Sequence, residues 1–224
     1  LLFVIFTISA KIFEIINFKN SIKELFNQSE DLSNNIFKYD LLDKLPLPVQ
    51  KYFRYVLKDG QPYISYVRLK HSGKFKTKPK NDWIDIRGEQ YFTCGKPGFL
   101  WKGKTTIFTA KDMYIGTKGK LEVLLLHFLK IVNASGDNYN QGELLRWLGE
   151  SVWFPTNFLP NNNLKWLPID ENTAKLRYSY NNLELFYIVY FNEIGQIIQI
   201  ETERYYGDKN IEKWLGKVSN YKEF

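Results

Sequence analysis

Two glutamates and one arginine stand close together in the segment NQGELLRWLGESVWFPTNFLP, residues 140–160. Glu143 and Glu150 could in principle flank a substrate as general acid and general base. On a helix, however, Arg146 is three residues from one glutamate and four from the other, and its guanidinium keeps both carboxylates ionised. The spacing therefore favours a structural charge network. A hydrolase that uses Glu143, Glu150 or Asp112 is the least favoured function.

The other reactive side chains of the sequence are isolated from one another. Cys94 is the only cysteine, so the chain can form no internal disulfide and no thiolate cluster for a metal. His71 and His127 are far apart in the sequence, and neither has a second candidate ligand at metal-binding spacing. The sequence also has no glycine-rich phosphate loop and no nucleophile elbow. It therefore predicts no catalytic residue, no metal and no cofactor, and it favours a non-enzymatic function while leaving enzymatic activity open.

The composition indicates a folded domain with a basic surface. Hydrophobic residues make up 44% of the 224 residues and aromatic residues 17%, which suffices for a sizeable core. Lys and Arg number 31 against 24 Asp and Glu, which gives a net charge of +7. The lysines are dispersed, with no arginine-rich helix and no run of five like charges. This pattern argues against nucleic acid as a partner.

The first ten residues, LLFVIFTISA, are mostly apolar and carry no charged side chain. A spanning helix needs roughly twenty apolar residues, and Lys11 and Glu14 interrupt the run about halfway. We interpret residues 1–18 as the exit half of a truncated transmembrane or signal-anchor segment. The alternative is an amphipathic helix that covers the domain. Residues 19–44 are polar and predict a stalk and linker, so the expected partner of the N-terminal segment is a membrane.

Further along the chain, the period of the apolar residues changes from helical to two. Pro48 and the apolar residues that follow it predict a short helix that ends before Gly60. Apolar and polar residues then alternate in the stretches Asp82–Phe92, Thr173–Tyr180 and Ile197–Tyr206. Alternation of this kind is typical of an antiparallel sheet with one face in water. Leu183–Phe191 is apolar on both faces and predicts a central strand.

Between the two groups of strands, residues 120–155 predict a helical insertion. Its first helix, Leu121–Val132, is apolar almost all round, so it must be buried or close over something apolar. Its second helix begins at Asn140 as the N-cap and ends at Pro155. The sequence thus predicts an α+β fold: an antiparallel sheet packed on an inserted helical pair, with an N-terminal helix.

Five blocks of the sequence together resemble one protein family. The blocks are LPLPVQKYFRYVLKDGQP, GEQYFTCGKPGFLWKG, KDMYIGTKGKL, NQGELLRWLGESVWFPTNFLP and ETERYY. They resemble an uncharacterised bacterial family, a domain of unknown function, over residues 45–224. The resemblance implies a bacterial membrane location with the domain on the extracytoplasmic side. It also implies that the domain is incomplete at its C-terminus.

More distantly, the order of strands, PGFLW segment, helical insertion and strands is similar to that of the lipoprotein carrier LolA and its relatives. This resemblance implies that residues 45–224 form a curved antiparallel half-barrel around a helical plug and an apolar cavity. Architecture alone does not assign a function.

Taken together, these features predict a membrane-tethered, non-enzymatic binding domain that holds a lipid or other apolar ligand between sheet and helices. The residues expected to line the apolar cavity are Ile84, Ile86, Phe92, Phe128, Trp147, Trp153, Leu176, Tyr178 and Ile200. The alternative is an envelope interaction or sensory module in which the same residues form a filled core. The sequence does not identify a protein partner.

Overall fold

The computed structural model describes residues 2–78, 80–206 and 210–222. Its architecture is α+β, with two antiparallel sheets and three α-helices in this part of the chain. The chain forms two compact units. Unit 1 comprises Leu1–Glu30 and Ser65–Trp147, and unit 2 comprises Asp31–Ile64 and Leu148–Phe224.

The helices and strands follow one another in a simple order. They are α1 (Leu2–Asn27), α2 (Leu47–Val56), β1 (Tyr66–Phe75), β2 (Ile84–Thr93), β3 (Gly98–Lys104), β4 (Phe108–Ile115), β5 (Lys118–Leu125), β6 (Leu129–Ser135), α3 (Asp137–Gly149), β7 (Leu164–Pro168), β8 (Thr173–Tyr180), β9 (Leu183–Phe191), β10 (Ile197–Tyr206) and β11 (Asn210–Lys217). Short 3-10 helices occupy Tyr39–Leu42, Glu150–Trp153 and Pro155–Phe158.

Unit 1 is built on a six-stranded antiparallel sheet in which each strand pairs with the next, from β1 to β6. The β1–β2, β3–β4 and β5–β6 connections therefore lie at one end of the sheet, which we call the turn end. One face of the sheet is covered by α1. Phe18 and Leu25 of this helix pack with Tyr91 of β2 and Leu100 of β3.

Unit 2 is built on a five-stranded antiparallel sheet in the order β11-β10-β9-β8-β7. Helix α2 packs against it, with the rings of Tyr52 and Phe191 5.9 Å apart. Trp166 of β7 also contacts Phe191, and its indole N–H donates to the carbonyl of Phe158 at 2.9 Å. These buried rings form the core of unit 2 beside α2.

Several sequence predictions about unit 2 are confirmed. The helix predicted from Pro48 onwards is α2, and Val49, Tyr52 and Phe53 on its inner side are buried. The predicted strands near the C-terminus are β8, β9 and β10. They are joined by the predicted hairpins, and Asn181 and Asn182 adopt the positive φ values that a tight turn requires.

The prediction of an inserted helical pair is wrong. The segment predicted as its first helix, Leu121–Val132, forms the hairpin of β5 and β6. Most residues of this segment are apolar, so periodicity alone cannot separate a helix from a buried strand. The burial pattern has period two: Glu122 and Leu124 are buried, whereas Val123 and Leu125 are only half-buried. Glu122 also lies opposite Lys111 of β4 and forms an ion pair with it, which favours the strand.

The second predicted helix is real, but both of its ends differ, since α3 ends at Gly149 and a 3-10 helix follows it before Pro155. It begins at Asp137, and the side-chain oxygen of Asn140 accepts a hydrogen bond from the backbone N–H of Gly119 at 2.7 Å. Asn140 therefore ties α3 to the start of β5 and does not cap the helix. The insertion is one hairpin followed by one helix, and the strands form two sheets where one curved sheet was expected.

Helix α1 extends across the boundary that the sequence placed between anchor and stalk at residues 18 and 19. Within the part of the chain that the structure describes, we find no helix with the length and apolar content needed to cross a membrane.

Candidate functional site

In its N-terminal half, from Ile5 to Ile16, helix α1 presents its large apolar side chains away from the sheet. Seven of them are between 49% and 62% exposed, and we call them the outer band: Ile5, Phe6, Ile8, Ile12, Phe13, Ile15 and Ile16. The half-buried residues of the same half are Thr7, Ala10 and Glu14, three and four residues apart. That spacing places them on one side of the helix. The side of α1 that faces the protein is therefore small or polar here, and the opposite side is apolar.

The C-terminal half of α1 has the usual arrangement. Phe18 and Leu25 are buried against the sheet, with Ile22 and Phe26 partly buried beside them. The exposed positions carry Lys19, Asn20, Lys23 and Glu24. The distribution of apolar residues around the helix thus reverses near Phe18.

A cluster of buried charges lies where the reversal begins. The Lys111 ammonium contacts a carboxylate oxygen of Glu14 at 2.9 Å and one of Glu122 at 2.8 Å. Lys120 and Lys130 each contact the other oxygen of Glu122 at 2.7 Å. The side chains of Lys111 and Glu122 are almost fully buried, so the ion pairs act in a medium of low dielectric.

Protonation of this charge cluster is set by the competition between burial and pairing. Burial raises the pKa of Glu122, but hydrogen bonds from Lys111, Lys120 and Lys130 outweigh it and lower the pKa to about 2. Burial lowers the pKa of Lys111, and its bonds to Glu122 and Glu14 reverse that effect and leave the pKa raised. Lys111 and Glu122 are therefore charged at neutral pH, and the cluster fixes α1 on the sheet through Glu14.

The outer band continues onto the turn end of the sheet. The rings of Phe6 and Phe128 meet edge to face, with centroids 6.3 Å apart. Phe128 is the last residue of the β5–β6 turn. The backbone N–H of Leu126 in that turn donates to the carbonyl of Ile107 in the β3–β4 turn at 2.7 Å. Leu126 and Ile107 are both exposed. The result is one apolar surface formed by a helix and two turns, all within unit 1.

Of the residues predicted to line a cavity, five lie in unit 1. Ile84, Ile86 and Phe92 share one face of β2, and the last two are buried. The ring centroids of Phe92 and Phe99 are 6.1 Å apart. Trp147 is 1% exposed, and its indole N–H donates to the carbonyl of Thr93 at 2.9 Å. Phe128 lies instead at the turn end, against Phe6.

The other four predicted lining residues lie in unit 2. Leu176 and Tyr178 of β8 and Ile200 of β10 are buried on the same face of the five-stranded sheet. Trp153 follows α3 and is 60% exposed. In contrast to Ile200, Ile198 is exposed, because a register shift places it in a β-bulge. The structure thus places Ile84, Ile86 and Phe92 together on the sheet of unit 1. It places Leu176, Tyr178 and Ile200 together on the sheet of unit 2.

The acid and base residues of the opening segment lie on α3 and in the 3-10 helix that follows it. Arg146 forms an ion pair with Asp112 of β4. Its guanidinium also lies over the rings of Phe99 and Trp101, 5.2 and 4.9 Å from their centroids. Such stacking on aromatic faces adds to the ion pair in holding the arginine. Glu143 is buried on the same helix, and Glu150 lies in the 3-10 helix that follows.

His71 belongs to the same face of the sheet as Trp101. The indole N–H of Trp101 donates to Nε2 of His71 at 2.8 Å, and the two rings are stacked. Glycines lie beneath both rings: a Cβ on Gly88 would come within 2.1 Å of His71, and one on Gly103 within 2.3 Å of Trp101. This arrangement explains the pair of glycines in neighbouring strands.

Cys94 is buried, and burial raises the pKa of its thiol to about 12. A thiol with such a pKa is a poor nucleophile at neutral pH. In the described ranges, no group of three His, Cys, Asp or Glu side chains is arranged to hold a metal ion.

The sequence prediction missed the outer band as a surface and missed the buried charge cluster. The signal for the first was present, since Thr7, Ala10 and Glu14 recur at helical spacing within an apolar run. The sequence contains no signal for the buried charge cluster. Glu14 lies far from Lys111 and Glu122 in the sequence, and the three come together only in the folded protein.

These features define an α+β domain with a continuous apolar surface on its N-terminal helix. The model of a family of unknown function (DUF6544) matches residues 35–224. The match covers most of the chain, and the chain therefore belongs to this family. No curated protein and no solved structure matches the chain.

Proposed function

We propose that this protein is a membrane-tethered, non-enzymatic domain of the bacterial envelope that binds lipid or another apolar ligand. The observation that carries the proposal is the outer band of α1. Seven large apolar side chains in contact with water are unfavourable, and each would gain roughly 1.5–3 kcal/mol on full transfer into an apolar phase. A contiguous exposed patch of this size is typical of a membrane or protein interaction site.

The inward side of the same half-helix supports this reading. If α1 simply covered the domain, its apolar residues would face the sheet, as they do in the C-terminal half. Instead Glu14 faces the sheet and pairs with Lys111 at 2.9 Å. The charge cluster therefore holds the helix in the orientation that leaves the outer band exposed.

Membrane retention tests the proposal directly. The full chain is expressed in a bacterium, and membranes are washed with high salt and then with carbonate. Replacing three residues of the outer band (Ile8→Ser, Ile12→Ser and Ile15→Ser) should move the protein into the wash. The matched control carries three serines at exposed isoleucines of unit 2, at positions 169, 194 and 211. Equal retention of both variants would reject the outer band as the membrane contact.

The predicted apolar-ligand site needs a separate test. A fluorescent fatty acid that binds saturably and quenches tryptophan fluorescence supports a ligand within the fold. Trp147→Phe should weaken this binding more than Trp83→Phe, because Trp147 is buried and bonded to Thr93 of the unit 1 sheet whereas Trp83 is exposed. The proposal includes a LolA-like apolar cavity as the place where this ligand binds.

One alternative has an observation in its favour. The predicted lining residues Phe92, Trp147, Leu176, Tyr178 and Ile200 are each at most 3% exposed. Such burial is also what a filled core requires, and it favours an envelope interaction or sensory module. Absence of saturable fatty-acid binding by the intact protein would select this alternative.

A further inference from the structure

The positive charge of the chain is concentrated in unit 1. Unit 1 contains 18 Lys and Arg against 10 Asp and Glu, whereas unit 2 contains 13 against 14. Unit 1 thus has a net charge of +8 and unit 2 of −1. Such asymmetry between parts of a chain indicates that one part meets an anionic surface.

The turn end of the six-stranded sheet brings three connections of unit 1 together. The rings of Phe75, at the end of β1, and Phe108, at the start of β4, are 6.4 Å apart. The β3–β4 and β5–β6 turns are joined by the Leu126–Ile107 hydrogen bond and by contacts of His127 with Thr106 and Thr109. The turn end is therefore one continuous edge.

Each of the three connections carries one large exposed apolar side chain. Trp83 is 61% exposed, Ile107 is 57% exposed and Leu126 is 53% exposed. Lysines accompany them: Lys76 lies 4.8 Å from the Trp83 ring, and Lys78, Lys80 and Lys104 are exposed. The acidic residues of the same edge are Asp82 and Asp85, and Asp85 pairs with Lys74. Apolar tips surrounded by cations match the chemistry of an anionic lipid surface.

The β5–β6 turn has an unusual backbone for its residues. Leu126 and His127 have φ values of 51° and 71°. This left-handed region is normally occupied by glycine or asparagine in tight hairpins, and a leucine there is strained. A strained residue that also exposes an apolar side chain indicates a role outside folding.

We propose that the turn end of unit 1 docks on an anionic lipid surface, with Trp83, Ile107 and Leu126 entering the headgroup region and the neighbouring lysines contacting lipid phosphates. This inference rests on the proposed membrane location and adds a second contact to the outer band. The Phe6–Phe128 contact joins the two surfaces, so both can meet the same bilayer.

The test uses the full chain and vesicles of phosphatidylcholine, alone or with 30% phosphatidylglycerol added, a composition chosen as roughly that of an anionic leaflet. A turn variant carries Trp83→Ser, Ile107→Ser and Leu126→Asn; asparagine is chosen because it tolerates the left-handed conformation. The control is the unit 2 variant with serines at positions 169, 194 and 211. We expect the turn variant to bind the anionic vesicles at least about tenfold more weakly than the control, because three apolar insertions are lost. Thermal unfolding of each variant checks that the fold is intact.

A second readout does not depend on affinity. Brominated lipids quench a tryptophan that enters the bilayer, and the difference between the wild type and Trp83→Phe isolates Trp83. We expect Trp83 to be quenched in anionic vesicles. Replacing Lys76, Lys78 and Lys104 by glutamine should reduce the preference for anionic over neutral vesicles.

The outcomes separate this inference from the proposed function. Unquenched Trp83 together with an unaffected turn variant overturns the docking surface, while vesicle binding that still requires the outer band leaves the proposed function intact. Wild-type protein that binds neither kind of vesicle overturns both. A dimer in lipid-free solution that the turn variant abolishes would show that the edge contacts a second copy and would also reject docking on lipid.

Discussion

Both halves of α1 contain isoleucine and phenylalanine, yet they relate to the sheet in opposite ways. In the C-terminal half, Phe18 and Leu25 are buried and the lysines are exposed. In the N-terminal half, Glu14 faces the sheet and the outer band faces away. The difference does not lie in the helix alone. Leu100 and Tyr91 of the sheet pack against the C-terminal half. The buried pair of Lys111 and Glu122 lies beneath the N-terminal half, where Lys111 contacts Glu14.

The comparison shows how a buried charge can orient a helix. An apolar helix on an apolar sheet could rotate about its axis with little change in buried area. A carboxylate that must reach a buried ammonium permits one rotation, because an unpaired charge in the interior is very unfavourable. The effect that we assign to the charge cluster is therefore to select one orientation of α1 on the sheet.

The largest expected effect is the loss of the central cation. Lys111→Met should destabilise the protein by about 3–5 kcal/mol, because it leaves Glu14 and Glu122 buried without their shared partner. Chemical denaturation measures the change. Lys118→Met, at an exposed position on the next strand, should stay within about 0.5 kcal/mol of the wild type. A Lys111→Met protein as stable as this control would show that pairing does not fix the helix.

A smaller effect is expected from apolar truncation, and here the two halves of α1 should separate clearly. Leu25→Ala should cost about 2–4 kcal/mol, since Leu25 is buried and packs closely over Gly98. Ile12→Ala in the outer band should change the free energy of unfolding by at most about 0.5 kcal/mol. Similar losses for the two variants would mean that both halves pack on protein.

The pH dependence of stability should report on the charge cluster. The pKa of Glu122 is lowered to about 2 in the folded protein, so as pH falls below about 4.5 the unfolded state takes up a proton first and is favoured. The contribution is complete above that pH and is lost as pH approaches about 2. A shift of the pKa from 4.5 to about 2 corresponds to roughly 3 kcal/mol.

Urea unfolding at pH 7, 4.5 and 3 of wild type and Glu122→Gln measures this term. The stability of the variant should decrease less steeply with acidification than that of the wild type. The exposed Glu24→Gln on α1 is the control and should follow the wild-type curve. Parallel curves for all three proteins would contradict the role given to Glu122.

The smallest effect concerns the strained turn beside the outer band. Leu126→Asn should stabilise the protein by about 0.5–1 kcal/mol, because asparagine tolerates the left-handed backbone better than leucine. The converse change at the β8–β9 turn, Asn182→Leu, should destabilise it by a similar amount, since Asn182 has a φ of 64°. Thermal unfolding detects both shifts, and equal melting temperatures would remove the argument from strain.

The sequence predicted correctly those elements whose structure is decided by residues close together in the chain. The Asn-Asn hairpin of β8 and β9 and the amphipathic helix α2 could be found because their residues suit one structure only. Leu121–Val132 could not, since its apolar residues fit a helix and a strand equally well and the choice depends on Glu122 meeting Lys111. The sequence showed the apolar run at the N-terminus but not which side of α1 faces the sheet. That side depends on Lys111, which lies about 100 residues further along the chain than its partner Glu14.

The interleaving of the two units also affects the timing of folding during synthesis. Unit 1 ends at Trp147, so all of its strands are available once that residue has been made. In unit 2, Tyr52 of α2 packs on Phe191, which is added much later. At about 5–20 residues per second the interval between these two residues is roughly 7–28 s. During that time the buried side of α2, with Val49 and Phe53, has no sheet to pack on. We therefore expect nascent chains that end between Trp147 and Phe191 to depend on chaperones more than the complete chain does.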